Sequence, residues 1–202
     1  MEDVIISKAR DLFFSYGLKS VSMDDLARRS RTSKKTIYQL VADKNELVDK
    51  VVADLVRGHA EALDQCTAGA RNAIEEVLLR GQVPFITLAS VNRNFFYELE
   101  KFFPATWAKL VTHRQHVMVP AIIGNLHRGV QEGYYREGLD TDLVAGIRLQ
   151  QIFTALDPQV FTGKKTSTQE LMNDLTEFYL HAITNNKGKQ LLNKYLKGND
   201  EN

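Results

Sequence analysis

The sequence predicts an all-α chain: a small N-terminal helix-turn-helix module of three helices, followed by a larger helical domain. Three observations predict it. Apolar residues recur at helical rather than alternating spacing from one end of the chain to the other. The first fifty residues hold short helices with explicit start and stop residues. At 44% hydrophobic and 25% charged residues, with four prolines and no low-complexity tract, the composition is that of a globular protein long enough to bury a core.

Taken in order, Ile5, Ala9, Leu12, Phe13 and Tyr16 share one face of an amphipathic helix, and Gly17 follows where a left-handed stop is common. Ser22 with Asp25 three residues on makes a near capping box for a helix over 24–30. Arg31, Thr32 and Ser33 form a three-residue break, with Ser33 capping a helix over 34–40. Asp43 and Glu46 repeat the capping spacing at the next start. Two helices of this length are unstable alone. They need their neighbours to close a miniature core of Leu12, Phe13, Val21, Leu26, Ile37, Val41 and Leu47, which gives a helix-turn-helix with the second short helix as the recognition helix.

Charge agrees with that assignment. The chain carries a net charge of +1, yet residues 19–38 hold six Lys/Arg against Asp24 and Asp25. A bare cluster of that kind is more often a solvated face; lying on a recognition helix it points to double-stranded DNA. Lys34, Lys35 and Gln39 have the donors and acceptors for phosphates and base edges, and the Thr36 and Tyr38 hydroxyls reach phosphate oxygens.

The stretch ARDLFFSYGLKSVSMDDLARRSRTSKKTIYQLVADKNEL, residues 9–47, resembles the N-terminal domain of the tetracycline-repressor (TetR) family of bacterial transcription regulators. The matching features are Ala9, Leu12-Phe13 and Gly17; Val21-Ser22-Met23 with Leu26-Ala27; Ser33-Lys34 with Thr36-Ile37-Tyr38; and Lys44 with Glu46-Leu47. The rest of the chain resembles the family in plan only. The resemblance implies phosphate contacts from Ser22, Ser33, Thr36, Tyr38 and Lys44, and base-edge contacts from Lys34, Lys35 and Gln39. Arg31, at the turn, joins this DNA-binding set. Three positions depart from the common pattern: Arg31 where Gly is usual, Lys35 where a small residue is usual, and Val41 where an aromatic is usual. If the turn keeps a positive φ, Arg31 costs on the order of 1 kcal/mol there.

The division implied is residues 1–47 for DNA binding and 48–202 for effector binding and dimerisation. Helices are expected over 44–65, 70–88, 92–102, 104–131, 140–157, 168–185 and 188–197. Pro104 suits a first helical position, Pro120 should kink or interrupt the long helix, and GYYREG at 133–138 reads as a loop. The helices over 140–157 and 168–185 are apolar over a wide arc, and the family places a dimer interface there. Leu143, Ile147, Phe153, Leu171, Leu175, Phe178, Tyr179 and Ala182 are the candidate interface, matching a two-fold homodimer on a palindromic operator. The family's effector pocket falls in the region holding Phe85, Phe96, Tyr97, Phe103, Trp107 and Tyr134. That set implies an apolar or aromatic small-molecule effector, although each aromatic taken singly reads as core.

No phosphate-binding Gly loop, nucleophile elbow or HExxH motif occurs, so no catalytic residue is assigned and no cofactor is implied. His113 and His116 lie at i, i+3 without further ligands, so no metal is expected. A lone Cys66 excludes an internal disulfide. No apolar run approaches the length a membrane helix needs, and the N-terminus reads as neither signal nor transit peptide; the expectation is a cytoplasmic protein. The leading expectation is therefore a ligand-responsive DNA-binding regulator, a repressor released by a small molecule. The alternatives are a family relative with weakened DNA reading that acts through a protein partner, and an all-α small-molecule-binding protein.

Overall fold

A computed structural model describes residues 2–82, 84, 91, 94–156, 160 and 167–199. Its elements are α1 (Glu2–Tyr16), α2 (Met23–Arg29), α3 (Lys34–Tyr38), α4 (Lys44–Gly69), α5 (Ala73–Arg80), α6 (Phe95–Phe102), α7 (Pro104–His113), a π-helical turn (Arg114–Met118), α8 (Val119–Gln131), α9 (Thr141–Leu156), α10 (Thr168–Ile183) and α11 (Asn186–Asn199). Among the described residues there is no strand, only one isolated antiparallel bridge between Tyr135 and Thr184, so the all-α expectation holds. No described helix is long and apolar enough to cross a membrane.

The chain folds into two compact units, residues 1–59 with 90–113 and residues 60–89 with 114–202. Compactness thus assigns α6 and α7 to the first unit, whereas the sequence division at residue 47 leaves them in the second domain.

In the first unit, α1 buries Ile5, Ala9, Leu12 and Phe13, and Gly17 ends it at φ +85°, its N–H donating to the Phe13 carbonyl at 2.9 Å. The Cβ of any other residue at 17 would stand 3.0 Å from the Glu98 carboxylate, so the glycine also admits α6. All seven residues of the expected miniature core are buried, Ile37 completely. At roughly 1.5–3 kcal/mol per fully buried aliphatic or aromatic side chain, that core supplies what helices of seven and five residues cannot supply themselves. Phe14 meets Phe95 edge-on with centroids 5.3 Å apart, which seats α6 on α1.

The second unit has a core of Ala73, Ile74, Val77, Leu126, Tyr135, Tyr179, Leu180, Ile183 and Leu192 from α5, α8, α10, α11 and the 133–138 loop. At Gly129 an added Cβ would lie 2.1 Å from the Tyr135 ring, so the ring rests directly on helix backbone. The Tyr135 hydroxyl is 3.0 Å from the Ala73 carbonyl and 3.1 Å from Asn125 Oδ1. Its pKa is raised well above the ordinary value by burial. The loop itself turns on Gly133 and Gly138, both at φ +72°.

Helix bounds differ from expectation in places, α5 among them, which ends at Arg80 rather than residue 88. The long helix is interrupted, as expected, in the turn before Pro120: a π turn over Arg114–Met118 takes in residue 116, whose carbonyl a proline four residues on can neither bond nor pack against. The recognition helix closes at Tyr38 rather than residue 40, since Leu40 N–H bonds to the Ile37 carbonyl in a tight final turn.

Candidate nucleic-acid interface

The module is built by its caps. Ser22 Oγ accepts the Asp25 N–H at 3.2 Å while the Asp25 carboxylate accepts the Ser22 N–H at 3.0 Å, completing the box on α2. The Ser22 hydroxyl also donates to Asp25 Oδ2 at 2.6 Å. These bonds hold the Asp25 carboxyl below its usual pKa. Ser33 Oγ accepts the Thr36 N–H at 3.0 Å, and the two hydroxyls lie 2.9 Å apart. A serine hydroxyl used in a cap keeps further hydrogen-bonding capacity, so neither cap removes Ser22 or Ser33 from contact with a ligand.

Between them the chain turns at Arg31, whose φ of 52° lies in the left-handed region. The position does keep the positive φ for which glycine is best suited. Its side chain is exposed.

Lys35, Tyr38 and Gln39 line the outer side of α3 and its C-cap, and none of them makes a side-chain hydrogen bond or ion pair among the described residues; Tyr38 is 48% accessible. Lys34 differs. Its ammonium sits 2.7 Å from the Asp24 carboxylate of α2, which pushes its pKa up. Both partners are largely exposed, so the pair is weak and exchangeable. Lys44 differs more. Its ammonium donates to the Val21 carbonyl at 2.6 Å and is part-buried, and burial pushes its pKa down. Its side chain ties the start of α4 to the entry of α2, while its backbone lies in the first turn of α4.

Two supporting residues carried no signal in the sequence. Asp24 looks like a helix-dipole acid, yet it holds Lys34. Glu98, 79 residues from Lys19, accepts the Lys19 N–H at 2.9 Å and so props the connection between α1 and α2. An i, i+4 search on α6 cannot find a partner that far along the chain.

Of the candidate effector residues, Phe85 lies outside the described residues. Phe96, Phe103 and Trp107 fall in the first unit, Phe96 half-buried and edge-on to Phe95. Tyr97 is exposed beside Lys101. Tyr134 belongs to the second unit, its ring under the Lys187 ammonium. Of the candidate interface residues, Leu143, Ile147 and Phe178 are 60%, 51% and 66% exposed, and Ala182 is exposed with them. Leu175 is half-buried, Phe153 lies under the Arg114 guanidinium, and Leu171 and Tyr179 point into the unit's own core. That inward turn follows from the helical period: α10 packs on α9 along one stripe and exposes the neighbouring one.

His113 and His59 share a hydrogen bond of 3.0 Å in the first unit; burial lowers the His113 pKa. Among the described residues no group of three or more metal-ligating side chains is gathered.

Residues 5–51 match the family model described as bacterial regulatory proteins, tetR family. No curated protein matches the sequence. Among solved structures, the chain is similar to a putative transcriptional regulator from Saccharomonospora viridis in complex with choline. The TM-score is 0.73 and the identity 21%, covering 91% of this chain and 97% of that one. It is similar to the fatty acid degradation regulator FadR from Bacillus halodurans, with a TM-score of 0.70 and 16% identity over 88% and 93% of the two chains. It is also similar to FadR from Bacillus subtilis in complex with stearoyl-CoA, with a TM-score of 0.67 and 18% identity over 89% and 97%. At these identities the likeness shows a common fold.

Proposed function

Since the N-terminal module belongs to the tetR family of bacterial regulatory proteins, we propose that the chain is a ligand-responsive repressor. In this reading it binds a palindromic operator as a homodimer and is released when a small molecule occupies its C-terminal unit. One observation carries the reading. Two short, separately capped helices are joined through a left-handed turn, and the second presents Lys34, Lys35, Tyr38 and Gln39 outward.

Lys35 and Gln39 are suited to base edges, with Lys34 joining them once it exchanges Asp24 for DNA. Ser22, Ser33, Thr36, Tyr38 and Arg31 are suited to phosphates. Lys44 acts through its place in the first turn of α4, where backbone N–H groups and the helix dipole attract phosphate.

The exposed stripe of Leu143, Ile147, Phe178 and Ala182 supports a homodimer, because a monomer rarely leaves such neighbouring apolar residues in water. Choline and stearoyl-CoA bound by two proteins of the same fold support a small-molecule effector here. Release requires the effector to favour the form with the lower DNA affinity by a coupling free energy of typically ~1–3 kcal/mol.

A gel shift with the DNA upstream of its own gene, at several salt concentrations, tests the proposal. Sequence-selective binding that weakens steeply with salt supports it; no binding at any salt overturns it. Tyr38→Phe weakens binding to all sequences, whereas Lys34→Ala also relaxes base preference. Light scattering that finds a monomer at micromolar concentration overturns the dimer.

A further inference from the structure

A cleft of about 420 Å³ opens within the second unit between the end of α4, α5, the π turn and α8. Its size is near the lower end for small-molecule sites. Its lining is mixed, with Leu63, Val117 and Ala121 beside polar and charged side chains, and holds none of the aromatic set expected from the sequence.

At its floor Glu76 is only 1% exposed and bridges two cations, Arg80 at 2.5 Å and Arg128 at 3.0 Å. Most of the N–H donors of these arginines are already committed within the protein. Arg80 spends its terminal nitrogens on Glu76, the Ala121 carbonyl and Thr67 Oγ1. Its Nε has no partner but is sealed from solvent. Arg128 spends its nitrogens on Glu132, Glu76 and the carbonyls of Thr67 and Ala70.

The groups left free are of the opposite kind. Asp64 is exposed on α4, lines the cleft, and has no hydrogen bond or ion pair among the described residues. Glu76 pairs with Arg80 and Arg128, and Glu132, outside the cleft's lining, pairs with Arg128 as well, so Asp64 is the lining carboxylate without a cation of its own. His116 lines the cleft from the π turn, likewise unpartnered among the described residues, and offers a ring nitrogen to a hydroxyl or an N–H. Such turns concentrate at functional sites. On α8, Gly124 keeps the cleft open: a Cβ there would meet nothing within 4 Å.

We propose that this cleft binds a small hydrophilic organic cation, of the alkylammonium or hydroxyalkylammonium class, with Asp64 as its counter-ion. As the effector's identity, the assignment rests on the ligand-responsive reading above; as a binding site, it stands on the cleft.

Calorimetry on the full chain at pH 8 tests it with tetramethylammonium chloride and ethanolamine hydrochloride. tert-Butanol, sodium acetate and decanoate serve as neutral, anionic and greasy controls. The two cations bind and the controls do not. Asp64→Asn weakens cation binding at least tenfold, and Gly124→Leu abolishes it, both with unchanged circular dichroism and a melting temperature no lower than that of the unsubstituted chain. Cations that bind no better than tert-butanol, or equally well to Asp64→Asn, overturn the proposal. So does acetate or decanoate binding that Gly124→Leu abolishes. A gel shift with each cation against equal sodium chloride separates the two readings. Asp64-dependent binding that leaves the DNA complex intact supports the site and removes its role as effector site. DNA release by decanoate alone supports the regulator and overturns the cationic effector.

Discussion

In the first unit, Ser22 and Ser33 close helix ends with partners three residues away, and the tips of Lys35, Tyr38 and Gln39 remain in solvent. In the second, Glu76 is buried and reaches Arg128 across 52 residues of sequence, while Asn125 reaches the Ala73 carbonyl across the same span. The helix-turn-helix closes its helix ends by local hydrogen bonds and leaves its chemistry on the surface. The second unit orders itself by distant ionic contacts and keeps most of its chemistry inside. Losing a cap therefore removes local contacts in solvent, whereas losing the Glu76 carboxylate leaves Arg80 without an acidic partner and Arg128 with Glu132 alone.

The contrast between the units breaks most sharply at Glu76. Glu76→Ala is expected to destabilise the chain by about 3 kcal/mol, the lower end for a broken buried pair, because Arg80 and Arg128 can still reach solvent. Urea unfolding followed by circular dichroism measures it; a loss under ~1 kcal/mol would mean the bridge is no stronger than a surface pair.

Ser22→Ala tests the locally capped module. It should cost roughly 1 kcal/mol, the usual worth of an N-cap, read from the same unfolding curves, and it should weaken DNA binding in the gel shift. Arg31→Gly should act in the opposite direction. Relief of the left-handed φ outweighs the extra chain entropy of glycine by a few tenths to ~1 kcal/mol. It should also lower the slope of log affinity against log salt by about one if Arg31 meets a phosphate. A lower melting temperature for Arg31→Gly would show that the turn is not strained.

The mildest effect is one of pH. Burial depresses the His113 pKa, so the folded chain binds this proton less readily than the unfolded chain. Stability is then complete above the ordinary histidine value of ~6.5 and falls as the medium is acidified through it. The urea midpoint of His113→Gln between pH 8 and pH 5 should change less than that of the unsubstituted chain. An identical change in both would remove His113 as its source.

What was legible in the sequence follows the same divide. Ser22 with Asp25, Ser33 before Lys34, and Gly17 after Tyr16 are short-range signals, and each carries its geometry within three or four positions. The miniature core was legible too, because it lies within forty residues. The cleft was not. Glu76 with Arg80 and Arg128 with Glu132 read as ordinary i, i+4 pairs on solvated faces, and nothing local joins the two. The aromatics were readable as apolar but not as neighbours: Phe96 and Trp107 fall in one unit and Tyr134 in the other. Lys44 matched the family pattern in type, whereas its bond to the Val21 carbonyl depends on how α2 meets α4.

Gly129 and Tyr135 carry a consequence for descent. The ring occupies the volume that a side chain at 129 would need, so the two positions cannot drift independently. A lineage that gains any Cβ at 129 must first give up the aromatic at 135, and with it the hydroxyl that meets Ala73 and Asn125. Glycine and aromatic should therefore be inherited as a pair, and lost as a pair.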